Sequence, residues 1–166
     1  MDKTIKKHIQ EKINSLEITQ QNVDFWKAEG LKVVFTNGVF DLIHPGHITY
    51  LADAAAQGDK LVIGLNSDSS VKRLGKGDDR PINDQNARAL LLAAFFFVDA
   101  VVIFDEDTPH NLITTLMPDV LAKGGDYTID TIVGAKEVMA SGGEVKVISF
   151  VDGFSSTAII KKIRQR

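Results

Sequence analysis

Cysteine is absent from this chain of 166 residues, so no disulfide ties it and no thiolate can act as nucleophile or metal ligand. Such a composition fits a reducing compartment. No run of 18 apolar residues occurs, and the start, Met1-Asp2-Lys3-Thr4-Ile5-Lys6-Lys7-His8, lacks the apolar centre of a secretory signal. The expectation is a cytoplasmic protein without a membrane partner. An excess of positive charge is missing too. The net charge of −3 argues against a broad nucleic-acid surface and leaves room only for a local basic pocket. Two familiar phosphate signatures are also lacking, since neither Gly-x-x-x-x-Gly-Lys-Ser/Thr nor a Gly-x-Gly-x-x-Gly after the first strand is found. No internal repeat, low-complexity tract or long linker divides the chain.

What remains is ordinary for one globular domain with a substantial core: 44% hydrophobic and 25% charged residues. Residues 1–31 read as a helical extension, with Ile5, Ile9 and Ile13 recurring every four residues and a second segment from about Thr19 to Glu29 that stops at Gly30. It would be a cap on the core or, alternatively, a subunit contact in a homo-oligomer. From residue 32 to residue 166, short β-branched runs alternate with helical patterns. Strands are expected at Lys32–Thr36, Lys60–Asn66, Ala100–Phe104, Val120–Lys123 and Glu144–Phe150. Helices are expected at Gly46–Gln57, Asp84–Phe96, Pro109–Met117, roughly Ile129–Ser141 and from Ser156 onward. Phe95-Phe96-Phe97 reads as core at a helix end. Such alternation implies an α/β fold: a five-stranded parallel sheet with helices on both faces.

The chain is organised around Thr36-Asn37-Gly38-Val39-Phe40-Asp41-Leu42-Ile43-His44-Pro45-Gly46-His47. It joins the first strand to the first helix, at the carboxyl edge where open α/β sheets bind ligands. His44 and His47 fall on one side of the helix's opening turn, where unpaired N–H groups and the helix dipole already favour an anion. Separately, Asn37-Gly38 could be a plain turn and Pro45-Gly46 a plain helix start. The histidines could also be a zinc pair, against which stand the missing cysteines, the lack of a third nearby histidine and the lack of an HExxH pattern.

Later stretches could complete a phosphate site. Asn66-Ser67-Asp68-Ser69-Ser70 emerges at the same edge, or merely caps a short helix. The loop beyond holds Lys72, Arg73, Lys76 and Arg80 around Gly75 and Gly77, and could close over a polyphosphate or simply be solvated. Lys123-Gly124-Gly125-Asp126-Tyr127 follows the fourth strand, where paired glycines permit close approach of a ligand or a tight turn. Phe154-Ser155-Ser156-Thr157 opens the last helix with hydroxyls that cap it or face a phosphate.

The Gly-x-Phe-Asp and His-x-Gly-His residues, with the late Ser-Ser-Thr-x-Ile, resemble the signature of the nucleotidyltransferase superfamily, whose fold is Rossmann-like. Thr36–His47, Asn66-Ser67-Asp68-x-Ser70-Val71, Arg80-Pro81, Asp107-Thr108-Pro109, Pro118-Asp119-Val120-Leu121 and Lys123–Tyr127 together are similar to the D-glycero-β-D-manno-heptose 1-phosphate adenylyltransferases, the nucleotidyltransferase part of ADP-heptose synthases. Val39 stands where that family often has cysteine. The resemblance implies ATP and a sugar phosphate as partners, with AMP transferred and pyrophosphate released. His44, His47 and Lys72 would be catalytic. Thr36, Asn37, Gly38, Phe40, Asp41, Gly46, Lys123, Gly124, Asp126, Ser155, Ser156 and Thr157 would bind the nucleotide, and Arg73, Lys76 and Arg80 the substrate phosphate. Mg²⁺ is expected with ATP, held by phosphate oxygens and waters with Asp41 as an outer partner, and no metal site of the protein's own. The alternatives are a cytidylyltransferase acting on an alcohol phosphate such as glycerol phosphate, or a nucleotide-binding regulatory module without turnover.

Overall fold

The computed structural model describes residues 4–75, 79–150 and 153–165. Five strands, β1 (Val33–Gly38), β2 (Lys60–Asn66), β3 (Ala100–Phe104), β4 (Val120–Gly124) and β5 (Glu144–Ile148), form one parallel sheet in the order β3-β2-β1-β4-β5. The order reverses at β1, from which the chain builds outward through β2 and β3 and then returns to lay β4 on the other side. The five strands fall where the apolar runs predict them, with small shifts at the ends.

Side chains alternate across the sheet and divide the core into two layers. Val34, Ile63, Leu65, Val101 and Ala122 face α3 (Pro45–Ala55) and α5 (Gln85–Ala93), meeting Leu51, Ala54, Ala89 and Leu92. Val33, Phe35, Val62, Val102 and Leu121 form the opposite layer with Leu112, Ile113 and Leu116 of α6 (His110–Leu116) and Val138 of α7 (Ala135–Ala140). The N-terminal segments serve both layers. From α1 (Ile5–Gln10) and the turn after it, Ile9 and Ile13 pack on the first; Val23, fully buried, and Trp26 of α2 (Leu16–Ala28) pack on the second. Between them the chain bonds to the edge strand β3, Val101 N–H to the Lys12 carbonyl at 2.8 Å and Asn14 N–H to the Val101 carbonyl at 3.1 Å. That covers part of an edge otherwise open to foreign strands.

Three expectations need correction. The short helix that the stretch after Asn66 could cap is present as α4 (Asp68–Arg73), but it runs on through Lys72 and Arg73, which are helical and not part of a loop. Ser67 caps it, accepting from the Ser70 N–H at 3.0 Å. The segment Ile129–Ser141 is not one helix. A 3₁₀ turn, Ile129–Thr131, is separated from α7 by Gly134 at φ 81°, where a Cβ would sit 2.6 Å from Ile113 Cγ2. Finally, α5 ends at Ala93, and the turn that follows points Phe96 into solvent at 92% exposure while Phe95 and Phe97 stack at 5.4 Å against the core.

If α2 is part of this core, Val23→Ala should cost about 2 kcal/mol, the loss expected for two buried methyl groups and the space they leave. Chemical denaturation measures it, and a cost below about 0.5 kcal/mol would mean that α2 only rests on the surface.

Candidate active site

β1 and β2 stay in register through Gly38 and Leu65, but β1 and β4 are paired only at Val34–Val120 and Phe35–Leu121. Beyond those pairs β1 and β4 part, and buried backbone groups in the gap need other partners. Tyr50, one turn after His47 on α3, bridges the gap. Its hydroxyl lies 2.6 Å from Thr36 Oγ1 on β1 and 3.4 Å from the carbonyl of Ala122 on β4, which accepts from it. Burial pushes the phenol up to about 12, so it remains a neutral donor at ordinary pH. Lys123 makes a second bridge, donating from Nζ to Asn37 Oδ1 at 3.1 Å.

Over this gap opens a cavity of about 670 Å³, at the carboxyl edge of the sheet. Of the residues singled out in the sequence, Asn37, Gly38, Phe40, Asp41, His44, Gly46, His47, Arg80, Lys123, Gly124, Ser155, Ser156 and Thr157 line it. The structure places others elsewhere. Thr36 is fully buried behind the loop as the partner of Tyr50. Lys72 and Arg73 lie exposed on α4 and do not line the cavity; Arg73 Nε donates to Asp107 at 2.7 Å. Asp126 is exposed and outside the lining as well. Lys76 falls outside the described residues. Tyr50 and Phe150 line the cavity without having been predicted. The spacing of Tyr50 from His47 was a legible signal, whereas nothing local marks Phe150.

The histidines open α3. His44 is extended (φ −142°) and caps the helix, its Nδ1 accepting the His47 N–H at 3.3 Å. An accepting Nδ1 leaves the proton of the neutral ring on Nε2. The two imidazoles stack, with centroids 3.7 Å apart and planes 17° apart. Phe40 meets His47 edge-on at 5.4 Å. Gly46 suits this packing, because a Cβ there would stand a tight 3.1 Å from His44 Nδ1 and 3.2 Å from Phe154 Cβ.

Asp41 is engaged within the protein. Its carboxylate, 1% exposed, accepts from Arg80 Nε at 2.6 Å, from the Ile82 N–H and from the Asn83 N–H at 2.9 Å. It therefore clips the segment before α5 to the histidine loop and fixes Arg80 at the cavity wall. Among the described residues none accepts from the Nη groups of Arg80. The terminal helix α8 (Ser156–Arg164) is anchored by Ser156, whose hydroxyl donates to the Leu42 carbonyl at 3.1 Å; Ser155 is its cap, accepting the Ala158 N–H at 3.0 Å. Two helix N-termini, of α3 and α8, thus meet at one cavity with a guanidinium and a histidine pair.

Burial lowers the pKa of His44 below its ordinary 6.5, an effect only partly offset by a backbone hydrogen bond. The expected result is an imidazole NMR titration of the free protein with a His44 midpoint under 6.5. The associated stability is complete above pH 6.5 and is lost as pH falls below it, because the unfolded chain takes up the proton first. A midpoint at or above 6.5 would contradict the neutral, capping ring.

Comparison with known proteins agrees with this geometry. The cytidylyltransferase-like family profile matches residues 35–162. The bifunctional protein HldE of Rhodospirillum rubrum is 53% identical over 152 residues, which cover 92% of this chain and 30% of that protein. HldE of Shigella sonnei is 56% identical over 139 residues, 84% of this chain and 29% of its own length. This chain therefore spans about a third of the relatives that it matches. Among solved structures, a lipopolysaccharide core biosynthesis protein from Thermoplasma volcanium superposes with a TM-score of 0.59 at 30% identity, over 74% of this chain and 98% of that one. A pantoate-β-alanine ligase from Francisella tularensis shares the fold alone, with a TM-score of 0.55 at 13% identity over 93% of this chain and 78% of that one. The chain belongs to the cytidylyltransferase-like family of nucleotidyltransferase enzymes.

Proposed function

We propose that this chain transfers AMP from ATP to heptose 1-phosphate, giving ADP-heptose and pyrophosphate. The observation that carries the transfer reading is the stacked His44–His47 pair at the N-terminus of α3, inside the gap between β1 and β4. The choice of ATP and heptose 1-phosphate is supported by the motifs that resemble heptose 1-phosphate adenylyltransferases, together with the likeness to the bifunctional protein HldE.

In the proposed reaction a phosphate oxygen of the sugar attacks the α-phosphorus of ATP. A new P–O bond forms as the bond to the bridging oxygen of pyrophosphate breaks, in line. The nucleophile is already anionic, so no general base is needed; positioning and stabilisation of charge are. His44 would donate from Nε2, the ring atom left protonated by its capping role. His47, stacked upon it, would share the phosphate oxygens, and the Nη groups of Arg80 would neutralise the triphosphate or the sugar phosphate. Asn37, Gly38 and Phe40 would shape the nucleotide pocket with Lys123, Gly124 and the α8 terminus. Among the described residues no group of three or more metal-ligating side chains occurs, and the carboxylate of Asp41 is engaged. Mg²⁺ would enter with ATP, held by the nucleotide's phosphates and water, and supply further charge neutralisation. A cytidylyl transfer is the second reading, favoured by the family's description.

A pyrophosphate-release panel crossing ATP and CTP with heptose 1-phosphate and glycerol 3-phosphate decides between them. ATP with heptose 1-phosphate should give the highest kcat/KM, and a preference for CTP with glycerol phosphate would overturn the substrate assignment. His47→Ala should lower turnover by about 10²–10³-fold while leaving the melting temperature close to that of the wild type. Near-normal turnover in that variant with either nucleotide would remove the histidines from the mechanism. Activity should require Mg²⁺ and persist with a zinc-specific chelator; one tightly bound zinc per chain, lost together with activity, would revive a metal pair.

A further inference from the structure

Arg88 has no part in the reaction as described, yet it is the largest fully buried side chain in the protein's described residues. It lies on the inner face of α5 beside Ala89 and Leu92, at a place where a packed helix ordinarily carries an apolar residue. A buried guanidinium is costly unless its donors are all met. Here they are. Nη1 donates to the Val39 carbonyl at 2.7 Å and the Asn66 carbonyl at 2.8 Å, Nε to the Asn83 carbonyl at 3.0 Å, and Nη2 to Asp68 Oδ1 at 2.6 Å. A structural ion pair would need Asp68 alone. The carbonyls instead come from the loop after β1, the end of β2 and the segment leading into α5, all at the carboxyl edge.

The bond to Val39 bears directly on the cavity. In a trans peptide the carbonyl and the following N–H point in opposite directions. Among the described residues the cis bond is Arg80–Pro81, so the Val39–Phe40 peptide is trans. With the Val39 carbonyl drawn towards Arg88, the Phe40 N–H is turned away from it. Phe40 sits at φ 46°, a region a phenylalanine keeps only when its surroundings enforce it, and no described residue accepts from its N–H. Both Val39 and Phe40 line the cavity. We infer that Arg88 is a positioning residue for phosphoryl transfer: by gripping the Val39 carbonyl from below, it aims the Phe40 N–H into the cavity as a donor to the transferring phosphoryl group. This rests on the transfer reading above.

The experiment compares Arg88→Lys, Asp68→Asn and, as a stability-matched control on the other face of the sheet, Val23→Ala. One ammonium cannot span the three carbonyls. Arg88→Lys should therefore lose about 30-fold or more in kcat with KM for ATP changed by less than about threefold, the pattern of a lost transition-state interaction. Asp68→Asn keeps an acceptor, and Val23→Ala only thins the core; both should stay within about threefold of the wild-type kcat. The inference is overturned if Arg88→Lys turns over as fast as Val23→Ala, or if Asp68→Asn falls as far as Arg88→Lys. The wild-type chain gives a test that needs no variant to fold. The ¹⁵N–¹H resonance of Phe40 should move on adding the β,γ-imido analogue of ATP with Mg²⁺, and an unmoved resonance overturns the inference. A wild-type chain without pyrophosphate release in any combination would instead defeat the transfer reading, so the two failures are distinct.

Discussion

The structure depends on how a parallel sheet can part along one edge without leaving buried backbone groups unpaired. Two registered pairs hold β1 to β4, after which the strands separate and the ladder between them ends. The cleft is stable because Tyr50 reaches Thr36 on one strand and Ala122 on the other, and because Lys123 reaches Asn37. A buried hydroxyl with partners on both strands ties them together where the ladder ends. Tyr50 belongs to the same helix that carries the histidines, so the wedge that opens the cleft and the groups that use it share one rigid element.

Charge is arranged in the same economical way. Arg88 lies below the first loop, fully buried, and Arg80 at its side, nearly so, in a chain whose net charge is −3. Asp41 and Asp68 each face one of these guanidinium groups, and backbone carbonyls take most remaining donors of Arg88. The fold thereby sets two paired guanidinium groups beside a cavity also met by two helix N-termini. Nothing in the overall charge would suggest it. His44 adds a donor rather than a fixed charge, since its capping role and its burial both favour the neutral ring.

Much of the fold was legible because its signals are local. Val33-Val34-Phe35 and Lys60–Asn66 read as strands buried on both faces, and they are. Helix ends were harder. Asn66-Ser67-Asp68-Ser69-Ser70 carries cap residues and little apolar periodicity, so a short helix could be read at its start but not carried on through Lys72 and Arg73. Ile129–Ser141 has a helical pattern throughout, but Gly134 at φ 81° breaks it, and the Ile113 side chain that leaves no room for a Cβ there comes from far off in the chain. The same limit governed the basic residues. Lys72, Arg73 and Arg80 are chemically alike in sequence, yet α4 presents the first two to the surface, where Arg73 meets Asp107, while Asp41 draws Arg80 to the cavity.

By itself the sequence determined the order of strands and helices and placed the histidine motif between β1 and α3, since apolar period, cap residues and glycines act within a few residues of themselves. Tertiary structure alone decided what those residues face. The part taken by Tyr50, the clip made by Asp41, the burial of Arg88 under three loops and the arrival of Phe150 at the cavity wall all join segments far apart in the chain. Such partnerships are fixed only when the sheet brings its carboxyl ends together. No periodicity records them, because a hydrogen bond across the fold constrains geometry without imposing a repeat on the sequence.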